Sequence, residues 1–183
     1  YHPSTLDLIE KSELEVQELI QSLSRLKDTL QIFTMPNADP GNLRIFNIIR
    51  SYVEECEQAV YFKSLGQLKY YSCLCYVDGV LGNSSSGILE APTFNIATIN
   101  IGDRQKGRLF AKSVLNVKPD FESISEAISY IYTDSFISQL KDNINPYGAG
   151  GSSEKIVSIL KRICFKDLLR KPFFDLEIPF SNY

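Results

Sequence analysis

Apolar positions along the chain fall into two alternating spacings. Val16, Leu19, Ile20 and Leu23 recur at i, i+3, i+4 and i+7, which predicts a helix with one apolar stripe and a charged back formed by Glu13, Glu18 and Lys27. Residues 30–34, Leu-Gln-Ile-Phe-Thr, predict a strand. It leads into Pro-Asn-Ala-Asp-Pro-Gly at 36–41, where Asp39 is expected to cap a helix with Pro40 at its first position, because proline has no N–H to leave orphaned there. That helix would turn Ile45, Ile49, Tyr52 and Val53 inward. Ala59–Phe62 reads as a short buried strand, 65–76 as a helix, Gly79–Gly82 as a third strand, 88–94 as a short helix disturbed at Pro92, and 98–101 as a fourth strand. Ser123 and Glu126 have the spacing of a capping box, with Ile124, Ala127, Ile128 and Ile131 as the stripe behind it. A Gly/Ser-rich loop at 147–153 then opens a last helix with Ile156, Ile159, Leu160 and Ile163 inward. Strand and helix signals that alternate in this way predict an α/β fold, a parallel sheet with helices on its faces.

Composition narrows the class. The 183 residues, 44% hydrophobic and 22% charged, are one domain's worth of chain. A chain of this size buries on the order of 70% of its unfolded surface and needs no metal or disulfide staple. Lys plus Arg number 19 against 22 Asp plus Glu, a net charge of -3, and a nucleic-acid binder would show a basic excess instead. No apolar run approaches the roughly 20 residues that cross a bilayer, so a soluble protein with no membrane partner is expected. Cys56, Cys73, Cys75 and Cys164 form no C-x-x-C pair, which suits a reduced, cytoplasmic protein, and Cys73 and Cys75 read as packing residues. The chain starts at Tyr1 with no signal peptide ahead of it, and its one methionine is Met35; the expectation is a processed N-terminus or an excised piece.

In an open parallel sheet, ligands bind beyond the carboxyl ends of the strands, so the loops after the strands are where chemistry is sought. Gly82-Asn83-Ser84-Ser85-Ser86-Gly87 follows a strand and precedes a helix, offering amides, hydroxyls and a helix dipole to an anion. It lacks the lysine of a Walker A loop and the glycine spacing of a dinucleotide fingerprint, and a small-residue turn with hydroxyl caps fits it equally. Glu90 lies in the first turns of that helix, where an ionised carboxylate either accepts from two vicinal hydroxyls, as a ribose presents them, or simply complements the helix N-terminus. The loop 102–108, Gly-Asp-Arg-Gln-Lys-Gly-Arg, brings Arg104 to the end of the next strand, where a guanidinium can fork onto phosphate. Lys106 and Arg108 read as a solvated basic turn.

The segments Gly-Asn-Ser-Ser-Ser-Gly-Ile-Leu-Glu-Ala-Pro-Thr-Phe and Thr-Ile-Asn-Ile-Gly-Asp-Arg-Gln-Lys-Gly-Arg resemble the C-terminal domain of the hydrolysing UDP-N-acetylglucosamine 2-epimerases. The opening Tyr1-His2-Pro3-Ser4-Thr5, the segment Met35-Pro36-Asn37-Ala38-Asp39 and the late Asn145-Pro146-Tyr147-Gly148 resemble further motifs of that family in the same order, so the resemblance spans nearly the whole chain. The serine-rich loop is similar to the hydrolysing branch rather than to the non-hydrolysing one, which carries Asp-Ser-Gly-Gly there.

The resemblance implies that residues 1–183 are the Rossmann-like, three-layer, nucleotide-binding C-terminal domain of a glycosyltransferase-B-type fold. The N-terminal domain of the parent enzyme, with its catalytic acids, would be the missing partner. Carried over motif by motif, Ser84 and Ser85 would bind the pyrophosphate of UDP, Glu90 the ribose hydroxyls and Arg104 the phosphates. Asn37 would reach the nucleotide from its own loop, and His2 would be the catalytic residue at the cleft, handling a proton or the leaving group. No cofactor and no metal are implied. The full enzyme would be a homo-oligomer that eliminates UDP from UDP-N-acetylglucosamine and hydrates the glycal to N-acetylmannosamine, and this chain alone would turn over little. The C-terminal 171–175 segment, Lys-Pro-Phe-Phe-Asp, would pack back across the fold toward the missing domain. Two alternatives stay open: a relative acting on a GDP-linked or diacetamido-trideoxy sugar, and a stand-alone nucleotide-sugar binding module.

Overall fold

The computed structural model describes residues 1–3, 9–36 and 38–165. In chain order the elements are α1 (Ile9–Leu23), β1 (Gln31–Thr34), α2 (Asn42–Glu55), β2 (Ala59–Phe62), α3 (Gly66–Leu74), β3 (Gly79–Gly82), α4 (Ser86–Leu89), a single 3-10 turn (Ala91–Phe94), β4 (Ala97–Ile101), β5 (Val114–Val117), α5 (Phe121–Tyr130), α6 (Asp134–Leu140) and α7 (Ser152–Leu160). Tyr1–Gly148 form one compact unit, and α7 belongs to a second that begins at Ala149. No described helix is long and apolar enough to cross a membrane.

The sheet is built around β4, all five of whose residues are buried. Successive side chains of a strand point to opposite faces. Ala97, Ile99 and Ile101 join Leu19 and Leu23 of α1, Ile124 and Ile128 of α5 and Phe136 of α6 in the main core. Thr98 faces the other way, toward α4, where its Oγ1 donates to the Gly87 carbonyl at 2.7 Å. β4 is therefore the middle of three layers, and β3 and β5 flank it, both parallel to it. Parallel neighbours need crossover connections, and the α4 segment supplies the one between β3 and β4. The result is the parallel α/β architecture that the alternating pattern predicts, with the Rossmann-like layering that the resemblance implies.

The sheet itself is divided. Among the described residues the strands form two hydrogen-bonded ladders, β1–β2 and β3–β4–β5, where the sequence pattern suggests one. A cavity of about 1030 Å³, with Gln31 and Phe33 of β1, Leu74 of α3 and Leu81 of β3 in its wall, lies where a continuous sheet would close. Two of the four β3 residues are glycines, so that strand carries little side chain to fill the space.

Several local expectations shift, each for a physical reason. α2 begins at Asn42 rather than Pro40, because Gly41 sits in the left-handed region with φ +90° and breaks the turn; the Asp39 carbonyl, at 3.1 Å, accepts from the Asn42 amide instead. Among the described residues β2 pairs with β1 alone and lies at the edge of its ladder, where of its residues Ala59 alone is buried and Tyr61 lies edge-on to Phe46 of α2. α3 spans 66–74, shorter than expected, and of the two cysteines read as packing Cys73 is half-buried and Cys75 exposed. The helix expected over 88–94 splits into α4 and the 3-10 turn because Pro92 has no N–H for the next helical bond. α5 starts one turn before the expected capping box: Asp120, in extended conformation, accepts from the Ser123 amide at 2.8 Å and is the cap. The stripe expected to face inward on α7 is exposed, with Ile156, Ile159 and Leu160 at 46–56%, since no other described element of its unit covers it. β5 and α6 are not picked out by the sequence pattern; the signal available for β5 is the apolar run that Pro119 ends, and for α6 it is Thr133, whose hydroxyl caps the Phe136 amide.

Candidate functional site

β3 ends at Gly82 with φ +138° and β4 is followed by Gly102 at +76°, both in the region that L side chains avoid, so the chain turns off sharply at the carboxyl ends of neighbouring strands. The residue after Gly82 joins the resulting loops. Asn83 is 3% exposed; its Oδ1 accepts from the His2 amide and its Nδ2 donates to the His2 carbonyl, both at 2.8 Å. Its own carbonyl accepts from Arg104 Nη1 at 3.1 Å and from the buried Gln105 Nε2 at 2.7 Å. One asparagine thus draws together the His2 segment, the serine loop and the loop after β4. The His2 segment is anchored on both sides, by the buried Pro3 and by Tyr1, which packs against the core and donates through its hydroxyl to Glu15 at 2.6 Å.

Glu90 sits just past α4 with both carboxylate oxygens engaged. Ser86 Oγ donates to Oε2 at 2.5 Å and the Tyr71 hydroxyl donates to Oε1 at 3.2 Å, while the Tyr70 hydroxyl bonds to Ser86. Burial pushes the Tyr70 hydroxyl above its ordinary range, its bond to Ser86 acts against that, and the nearby Glu90 charge adds to it, so at neutral pH Tyr70 keeps its proton. The segment carrying Glu90 is braced from outside: Asn145 Nδ2 donates to the Leu89 carbonyl at 2.9 Å and to Thr93 Oγ1 at 2.8 Å, and Asn143 Nδ2 to the Pro92 carbonyl at 2.9 Å. Asn143 and Asn145 therefore act as a clamp on this segment, while the Tyr147 hydroxyl donates to the Leu109 carbonyl at 3.1 Å. The wall of the large cavity continues to His2, Tyr70, Ser84, Ser86 and Glu90, and its volume is just above the ~300–1,000 Å³ usual for small-molecule sites.

Of the residues selected from the sequence, Ser84 and Ser85 are half-buried at the head of α4, with Ser84 Oγ accepting from the Ser86 amide at 3.4 Å. Glu90 and His2 are half-buried, Arg104 is exposed and turned onto the serine loop, and Asn37 lies outside the described residues, as do Ser4, Thr5 and the 171–175 segment. Lys106 and Arg108 are exposed, as a solvated basic turn requires. The helix-dipole argument weakens, because α4 has four residues and a macrodipole needs many aligned peptides; hydroxyls and the Arg104 cation are left as the main anion-attracting groups.

A match to the family described as UDP-N-acetylglucosamine 2-epimerase covers residues 1–161. The chain belongs to this epimerase family. A Campylobacter jejuni relative, GDP/UDP-N,N'-diacetylbacillosamine 2-epimerase (hydrolyzing), is 36% identical over 178 residues, 96% of this chain and 46% of that protein. Polysialic acid biosynthesis protein P7 of Escherichia coli is 34% identical over 185 residues, covering 100% of this chain and 47% of its own length. This epimerase-family chain thus spans about half the length of the curated relatives it matches. Among solved structures, one from Listeria monocytogenes superposes with a TM-score of 0.70 at 17% identity, over 96% of this chain and 46% of that one. UDP-GlcNAc 2-epimerase from Neisseria meningitidis, bound to UDP-GlcNAc, gives 0.63 at 16% identity, over 82% and 41%. These likenesses establish the fold, an α/β domain of the glycosyltransferase-B-type epimerases.

Sequence reasoning passes over the groups that shape this epimerase-family site. Asn83 stands in the quoted loop as one polar residue among several, and only the approach of the His2 segment, 81 positions away, gives it a role. Tyr70 and Tyr71 lie in an aromatic run that reads as packing, and Gln105 among charges that read as a solvated turn.

Proposed function

We propose that this chain is the nucleotide-binding half of a hydrolysing UDP-N-acetylglucosamine 2-epimerase, which eliminates UDP and hydrates the glycal to N-acetylmannosamine in concert with a second domain. The observation that carries the reading is the junction at Asn83, which brings His2, Ser84, Ser85 and Arg104 together at the carboxyl ends of β3 and β4, with Glu90 one short helix away. In the elimination, a base takes the proton from sugar C2, the C2–H electron pair becomes the C1=C2 double bond, and the C1–O bond breaks with its electrons leaving on UDP. Hydration then returns a proton to C2 from the opposite face and a hydroxyl to C1. C2 is poorly acidic, so the rate depends on stabilising the departing diphosphate, a task for Arg104 and the Ser84 and Ser85 hydroxyls. Glu90 accepts from the ribose hydroxyls one sugar away from the phosphates. His2, held by both of its backbone groups, handles a proton or the leaving group at the cleft. The acid and base at C2 belong to the second domain, so the chain by itself releases little UDP.

Calorimetry with UDP, GDP and UMP tests the reading. UDP is expected to bind, and Glu90→Ala to weaken it about tenfold or more, the effect of losing hydrogen bonds to a charged group, while Lys106→Ala stays within about twofold. Equal effects of the two substitutions, or binding of none of the nucleotides, overturn it. A second reading, a GDP-linked or diacetamido-trideoxy sugar substrate, is favoured by the name of the Campylobacter jejuni relative, and tighter binding of GDP than UDP would select its GDP form.

A further inference from the structure

We infer that Tyr71 is a positioning residue for ribose recognition: with Ser86 it holds the Glu90 carboxylate in the orientation that leaves one acceptor site on each oxygen for a vicinal diol. This rests on the reading of Glu90 as the ribose ligand. An ionised carboxylate offers about four lone-pair sites, two on each oxygen. Tyr71 occupies one on Oε1 at 3.2 Å and Ser86 one on Oε2 at 2.5 Å. What remains is one site per oxygen, the pair of acceptors that two adjacent hydroxyls need.

The two anchors come from different elements, Tyr71 from α3 and Ser86 from α4, and grip different oxygens, so together they stop the carboxylate from rotating where either alone would let it turn. Each anchor is itself fixed. Ser86 has a single hydroxyl proton, directed at Glu90, so in its bond with Tyr70 it accepts, and Tyr70 donates. That makes a chain from Tyr70 through Ser86 to Glu90, in which each bond polarises the next. The Tyr71 ring lies between the rings of Tyr70, 6.0 Å away, and Phe94, 5.8 Å away, which holds its hydroxyl over Oε1. A nucleotide without the diol leaves the prepared acceptors unpaired, and sites built to bond a hydroxyl reject analogues that lack it.

The test is calorimetry of the full chain with UDP and with 2',3'-dideoxy-UDP, comparing wild type with Tyr71→Phe, which removes the hydroxyl and keeps the ring. Wild type is expected to prefer UDP by about tenfold or more, as for paired hydrogen bonds to a charged acceptor. In Y71F the preference should fall to about threefold or less, with dideoxy-UDP affinity changed by less than about twofold. The preference is a ratio of two ligands on the same protein, so a loss of folded fraction cancels from it. An unchanged preference in Y71F overturns the inference and reduces Tyr71 to a packing residue. Absence of any preference in wild type, or of binding, overturns the ribose role of Glu90 first and the inference with it, so the two failures are told apart.

Discussion

Replacing Gly87 with alanine tests how the serine loop is seated on the sheet. Gly87 is buried in α4, and a Cβ there would meet Thr98 Cγ2 of β4 at 2.7 Å, well inside the ~3.5–4.0 Å at which two carbons attract. Thr98 is 2% exposed and its hydroxyl is committed to the Gly87 carbonyl, so it has neither room nor reason to turn away. The helix or the strand must shift, and overpacking of this kind costs about 1–3 kcal/mol. At ~2 kcal/mol, a domain of this size loses about 4–8 °C in melting temperature. Thr98→Ser keeps the hydroxyl and deletes the clashing methyl, costing about 1 kcal/mol alone, as for loss of one buried methyl. The double variant should be no less stable than Thr98→Ser by itself, a coupling of about 2 kcal/mol, equal to the whole cost of Gly87→Ala. Urea unfolding followed by circular dichroism measures all three. A Gly87→Ala variant within ~0.5 kcal/mol of wild type, or additive single effects in the double variant, would refute close packing of α4 on β4 as what positions the loop.

Other outcomes follow from the same geometry. Asn83→Ala removes both side-chain bonds to the His2 backbone, so a loss of about 2–3 kcal/mol is expected in urea unfolding, and weaker UDP binding should accompany it because the His2 segment is released from the residue whose backbone carbonyl still holds Arg104. The amide of Ser123, then its hydroxyl, holds the Asp120 carboxyl below the usual carboxylate range, so the folded state favours the ionised form. Stability from that cap is present above the unfolded value near pH ~4 and fades as pH falls through the lower folded value. Melting curves of Asp120→Ala should therefore lie below wild type at neutral pH and converge toward it in acid; a gap that stays constant or widens on acidification contradicts the cap. Asn145→Ala, which removes two bonds to the segment holding Glu90, should weaken UDP binding although it touches no ligand; calorimetry showing unchanged affinity would contradict the clamp.

Much of the architecture was readable without coordinates because burial leaves a periodic trace. The stripe of Val16, Leu19 and Leu23 and the stripe of Ile124, Ala127, Ile128 and Ile131 are buried as their spacing predicts. Boundaries were less readable, since competing caps differ by little: Asp120 and Ser123 are both good cap residues, and the extended backbone of Asp120 decides between them. The exposed face of β2 was hidden for another reason. An apolar strand reads the same whether it lies in the middle of a sheet or at its edge, and only pairing separates the two.

The residues selected for the site were those whose chemistry shows in their identity: Ser84, Ser85, Glu90 and Arg104 in loops after strands, and His2 in its motif. What orients them did not show. Asn83, Gln105, Tyr71 and Asn145 act through bonds to residues 81, 22, 19 and 56 positions away, and such pairs come together only when the chain folds back. By itself the sequence determined the class of fold, the family and the chemical groups available, because local periodicity and loop motifs are properties of short segments. Tertiary structure alone decided which acceptor faces which donor, how Glu90 is aimed and where the sheet divides, because those depend on long-range approaches that no short segment encodes.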